Sequence, residues 1–183
     1  KPLRAALQAA VDLVDAQMSP WKPGSDLMRL NRAPVDSWVD LPAEMLYVLD
    51  RALEISRLSA GAFDPAVGAL VDAWGFGAVR DAPEAAAIHI ARQAAPCLTD
   101  QALALDRPAG RVRKHAPLQL DLCGIAKGYA VDRMAAVLQQ LAGVARTRPD
   151  PSQPPPVSMA AMEALQTLHG QHHSRGVAVQ SFR

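Results

Sequence analysis

The chain has 183 residues, half of them hydrophobic and a fifth charged, with a formal net charge of +1. That balance gives no electrostatic case for nucleic acid or an anionic membrane as partner, and no apolar run reaches the roughly eighteen residues of a membrane span. Two cysteines, Cys97 and Cys123, lack CxxC spacing, so they make neither a disulfide framework nor a complete zinc site and read as small buried hydrophobes.

In chain order, Leu3, Leu7, Ala10, Val11 and Val14 fall at helical spacing and predict a helix over 3–17. No export signal is read here, because Lys1 is followed by an amphipathic pattern rather than an apolar stretch. "MSPWKPGSD", 18–26, carries two prolines and a glycine and predicts a loop. A short helix follows, capped by Asp26 or Ser25, with Leu27 and Leu30 inward. Asp40 is expected to cap a longer helix over 42–60 that Gly61 ends, burying Met45, Leu49, Ala52, Leu53 and Ser56.

Residues 62–77 read as a turn, a short helix from about Pro65 and an aromatic-glycine loop, and another helix is expected over 83–93. The period then changes. Segments near 103–106, 111–114 and 118–122 predict three strands of a meander, with "DRPAG" turning between the first two. A helix from about Ile125 to Leu141 closes the core. Beyond Gly143 five prolines fall within positions 149–156. Residues 146–183 therefore read as a proline-rich linker and tail, with one short amphipathic helix over "VSMAAMEALQTLH".

Three clusters suggest chemistry. At "LDLCGIAKGYAVD", 120–132, a strand gives way to a helix at Cys123-Gly124. Such a junction exposes backbone N–H groups in a positive potential that suits a phosphate. Lys127 would reach the same anion, and Asp121 could accept from a ligand hydroxyl or ring nitrogen. The Walker spacing is absent, and a solvated lysine beside glycines that permit close helix–sheet packing explains the same letters. In "SAGAFDPAVGAL", Asp64-Pro65 reads as a helix start with Asp64 as its cap. The functional alternative offers the backbone of Ala62 and Phe63 to a planar ligand. Trp21 stands in a polar loop, where it either stacks on an aromatic ligand or folds over its own loop. His169, His172 and His173 in the tail read as solvated rather than metal-bound.

Together these clusters resemble the flavin transferases of the ApbE type. The family's order is "MSxYxPxSELSRFN", "GAFDPxVGPLVxLWGFG" and "LDLGGIAKGYAVD". Here it reads "MSPWKPGSDLMRLN" (18–31), "GAFDPAVGALVDAWGFG" (61–77) and "LDLCGIAKGYAVD" (120–132). The resemblance covers roughly residues 1–145, taken as one transferase-like domain. It implies an α+β fold with helices packed on a mainly antiparallel sheet. It also implies an enzyme that splits FAD and passes FMN to a threonine hydroxyl of an acceptor protein, releasing AMP with the help of Mg2+. Trp21 then matches the loop aromatic on the flavin nucleotide. Ala62, Phe63 and Asp64 match the segment that contacts FAD, and Asp121 a further contact. Lys127 matches the motif lysine near the pyrophosphate and is the catalytic candidate. The backbone at Gly124 matches the place where a carbonyl helps to hold the metal. The family works in the bacterial periplasm or on the outer face of the inner membrane.

The sequence departs from the pattern at Cys123, where the family has glycine, and at Met28, where it has serine. After Gly143 the family's "ALVxxGGDxR" strand, its threonine-serine segment and its "HxxDPxTG" region with the metal-binding Asp and Thr do not appear. Two expectations follow: an FMN transferase by family, or an inactive fragment or flavin-binding remnant of one. A sheet edge left uncovered would favour self-association.

Overall fold

The computed structural model describes residues 2–77, 82–94 and 99–141. The proline-rich stretch, the tail histidines, the predicted tail helix and Cys97 lie outside them. Among the described residues there are seven helices and three strands. They run α1 (Pro2–Met18), α2 (Asp26–Arg32), β1 (Trp38–Asp40), α3 (Ala43–Leu58), α4 (Gly68–Ala73), α5 (Ala85–Ala94), α6 (Thr99–Ala102), β2 (Leu103–Asp106), β3 (Arg111–Lys114) and α7 (Cys123–Leu141). The expected α+β class is what the chain forms, with its helices around a small, wholly antiparallel sheet of order β1-β3-β2.

The helices follow their apolar spacing. In α1, Ala10 and Val14 are buried while Leu3 is exposed. The expected stripe of α3 (Met45, Leu49, Ala52, Leu53, Ser56) is buried throughout. Ser25 caps α2 by accepting from the Met28 N–H at 3.1 Å, and Leu27 and Leu30 are fully buried. The α3 helix ends in a left-handed turn: Ala60 (φ 51) donates to the Arg57 carbonyl, and Gly61 (φ 81) to that of Ser56 at 2.8 Å.

Three expectations give way. Asp40 does not cap α3. It ends the unforeseen strand β1, and α3 starts after Pro42 without a side-chain cap. The helix in the second motif begins at Gly68 rather than Pro65, because the Asp64 carboxylate accepts from the Ala66 N–H at 2.9 Å and closes a local turn first. Residues 118–122 alternate as predicted, with Leu118, Leu120 and Leu122 buried, yet form no strand. Their backbone pairs elsewhere: the Gln119 carbonyl accepts from Gly68, and the Asp121 N–H donates to Pro65.

In the sheet, Val39, Val112 and Leu105 stand opposite one another, and Val112 is fully buried. Successive residues of a strand face opposite sides, so Lys114 shares the core face with Val112. On the other face Trp38 lies between two guanidinium groups, Arg111 at 4.7 Å and Arg113 at 4.6 Å from its ring centre.

Candidate functional site

Two of the three motifs meet at the start of α7. The second motif lays its Pro65–Gly68 turn along residues 119–121 through two backbone hydrogen bonds, Asp121 N–H to Pro65 (2.8 Å) and Gly68 N–H to Gln119 (3.0 Å). Gly68 has to be small here, since a β-carbon would stand 2.8 Å from the Gln119 oxygen. The Phe63 ring packs against Gly124, where a β-carbon would sit 3.1 Å from the ring edge. Ala62, Phe63, Asp64, Asp121, Gly124 and Lys127 are thus joined into one region. Its floor is the first turn of α7, where the N–H groups of Ile125 and Ala126 donate to the Leu122 carbonyl and that of Cys123 to Asp121, which leaves the Gly124 N–H without a partner among the described residues.

Asp121 organises that turn. Its carboxylate accepts from the Cys123 N–H at 2.7 Å. The Cys123 thiol is pushed up to about 12, by burial first and then by its hydrogen bond to Asp121 and that carboxylate's charge, with Lys127 pulling the other way. Cys123 is half-buried rather than buried and stays a protonated thiol at neutral pH, so it is no nucleophile. Lys127, exposed one turn into α7, is near enough for its charge to act on Cys123.

A second carboxylate lies within reach of the Asp121 charge. Asp72, at the end of α4, is open to solvent, yet its carboxyl is raised above the usual range by partial desolvation and then by the charge of Asp121. The last glycine of the "WGFG" stretch makes room for it: a β-carbon on Gly77 would fall 1.7 Å from an Asp72 oxygen. These carboxylates and the Gly124 backbone are hard oxygen donors of the kind a divalent magnesium ion accepts alongside substrate phosphates. Among the described residues no group of three or more His, Cys, Asp or Glu forms a metal cage.

Asp64 is spoken for by the fold, holding the Ala66 N–H and accepting from the buried Thr99 hydroxyl. The backbone of its neighbours is tied to Ser59, whose carbonyl accepts from Ala62 and whose hydroxyl accepts from Phe63 at 3.0 Å. Trp21 stands half exposed in its own loop. That loop is held by Ser25 Oγ donating to the Ser19 carbonyl and by the Lys22–Asp15 ion pair.

Sequence reasoning missed Asn31, Asp72 and Thr99. Asn31 closes the first motif, and its side chain holds both backbone groups of Leu120. Its Nδ2 donates to the carbonyl at 2.9 Å, and its Oδ1 accepts from the N–H at 2.8 Å. The signal was its place at the end of "SDLMRLN", where a polar residue follows the buried Leu27 and Leu30.

The profile of the ApbE family matches residues 2–147. The chain belongs to the ApbE family. It is 35% identical over 144 residues to the FAD:protein FMN transferase of Klebsiella pneumoniae (strain 342), a match covering 75% of this chain and 40% of that protein. Among solved ApbE structures, the apo flavinyl transferase of Pseudomonas stutzeri superposes with a TM-score of 0.65 at 32% identity, covering 78% of this chain and 46% of that one. The flavin transferase ApbE of Vibrio cholerae gives 0.69 at 28% identity, covering 77% and 45%. This ApbE chain therefore spans about 40% of the length of the curated relative. The three motifs that carried the resemblance all lie within the matched residues.

Proposed function

We propose that this chain binds FAD at the Phe63–Gly124 junction and supports transfer of its FMN moiety to a threonine hydroxyl of an acceptor protein. The observation that carries the reading is the zipping of the Pro65–Gly68 turn onto residues 119–121. It sets the GAFDP backbone beside the first turn of α7, the helix that carries Lys127. Similarity to proteins named FAD:protein FMN transferase supports it.

In this reading the Gly124 N–H, left open at the start of α7, and Lys127 take the diphosphate, donors aimed where negative charge gathers. Asp121 orients the nucleotide, and Trp21 closes over it. The threonine oxygen forms a bond to the FMN phosphorus, the phosphoanhydride bond breaks, AMP leaves, and the hydroxyl proton passes to solvent or a base. Asp121, Asp72 and the Gly124 backbone are the groups that would hold Mg2+, which when bound neutralises diphosphate charge. The same reading places the chain on the exported side of the bacterial inner membrane. Among the described residues no helix is long and apolar enough to cross a membrane.

The test is AMP release from FAD by the purified chain with a threonine-bearing acceptor peptide, with and without EDTA. Metal-dependent AMP that falls in Lys127→Ala is expected. FAD binding with no AMP under any condition would reduce the chain to a flavin-binding module and overturn the proposal.

A further inference from the structure

A cavity of about 580 Å3 is lined by Asp64, Val67 and Leu70, by Arg92 of α5, and by Leu118 and Lys114; the Asp64 carboxylate is engaged by the Ala66 N–H and the Thr99 hydroxyl. Its size lies within the range of small-molecule pockets, and its lining follows their pattern of apolar walls with a few polar groups. Neither Lys127 nor the first turn of α7 lines it, so it adjoins the candidate flavin-nucleotide site through Asp64 without including the diphosphate groups.

Lys114 is what sets this cavity apart. The β3 register forces it onto the core face, where it is 3% exposed. Its ammonium, with three donors to place, donates to the Asn31 carbonyl at 2.7 Å. Among the described residues no carboxylate pairs with it: desolvation alone perturbs it, with no acidic side chain to offset the cost. A buried cation facing a neutral carbonyl and an open cavity lacks its counter-charge. Arg92, exposed on the wall, adds a second positive group.

We propose that this cavity binds a small organic anion, its carboxylate or phosphate on the Lys114 ammonium and its apolar body against Val67, Leu70 and Leu118. Apolar walls without the cation would take a neutral molecule equally well. The buried ammonium makes the site selective for charge.

The experiment titrates the full chain with benzoate and phenyl phosphate, with benzamide as the neutral control, by ligand-observed NMR. Lys114→Met removes the charge and keeps the length of the stem. Ala91→Trp fills the cavity from α5 and leaves Lys114 untouched, so it carries the test should Lys114→Met fail to fold by circular dichroism. Saturable binding of the anions, weakened about tenfold or more by either substitution, is expected, with benzamide indifferent to Lys114→Met. Anion binding unchanged in both variants, or no saturable binding to the wild-type chain, overturns the proposal. FAD is then added as competitor. Displacement supports the site with a nucleotide as the source of the anion, and simultaneous binding supports it with a separate small acid.

Discussion

Asn31 and Leu120 are joined by two hydrogen bonds that use both ends of one side-chain amide and both polar groups of one peptide backbone. This clasp stitches the first motif to the third across 89 positions of sequence. It also substitutes for a neighbouring strand, since the extended segment 118–122 has no ladder of its own.

Asn31→Ala orphans both groups of the buried Leu120. Each is expected to cost about 1–3 kcal/mol, read from the urea midpoint. Asn31→Asp keeps the acceptor, loses the donor and should fall between wild type and Asn31→Ala. A midpoint unchanged in Asn31→Ala would mean that the clasp holds nothing.

Two motif glycines should respond in opposite ways. Gly68→Ala puts a methyl group against the Gln119 carbonyl, backbone that cannot swing aside, and should destabilise by about 1–3 kcal/mol. Gly128, one turn into α7, has nothing within 4 Å of its would-be β-carbon. Gly128→Ala should therefore stabilise by up to about 1 kcal/mol. Thermal melts of the two variants side by side decide the matter, and equal shifts would contradict the packing described.

Lys114 predicts a pH dependence. Burial lowers its pKa from 10.5, so over the window below 10.5 the unfolded chain binds more protons than the folded one. Stability from this group therefore rises as pH rises toward 10.5. Tyr47 and Tyr129, both raised above 10.0 by burial, act oppositely at the alkaline end. The quantity to follow is thus the difference between wild type and Lys114→Met. Lys114→Met should be the more stable at neutral pH, with its advantage shrinking as pH climbs; a constant difference would show that Lys114 does not titrate in this way.

Self-association is the fourth expectation. Among the described residues β1 and β2 each pair on one side, with β3, and Val131 on α7 is 58% exposed. Open edges and bare apolar side chains invite a second copy. Sedimentation velocity across a hundredfold range of concentration should show a growing dimer or higher species. A single monomer peak throughout would contradict it.

Helices were legible where an apolar period ran long enough: α1, α3 and the body of α7 follow directly from their spacing, though α7 begins at Cys123 rather than about Ile125. β1 was not, because three residues carry too little of a period-two pattern to be told from a loop. The alternation of Leu118, Leu120 and Leu122 truthfully reported an extended chain with one buried side. Periodicity says nothing about which groups receive the backbone hydrogen bonds, and here they are Asn31, Pro65 and Gly68. Lys114 was not singled out by its letter. Its charge suggests solvent, but one step of strand parity from Arg113 places it with Val112. At the site, motif letters named Phe63, Asp121, Gly124 and Lys127. The convergence of Asp72 on Asp121 depends on the fold of the aromatic-glycine loop around Gly77, which no local pattern encodes.

The second and third motifs are proposed to form one flavin-nucleotide site. Equilibrium titration of FAD into the purified chain, followed by flavin fluorescence, tests it most directly when run beside Lys127→Ala and Gly68→Ala. Saturable binding weakened about tenfold or more by Lys127→Ala, and by Gly68→Ala through the displaced turn, is the expected result. Binding of equal strength in all three proteins, or none in the wild-type chain, would contradict the account.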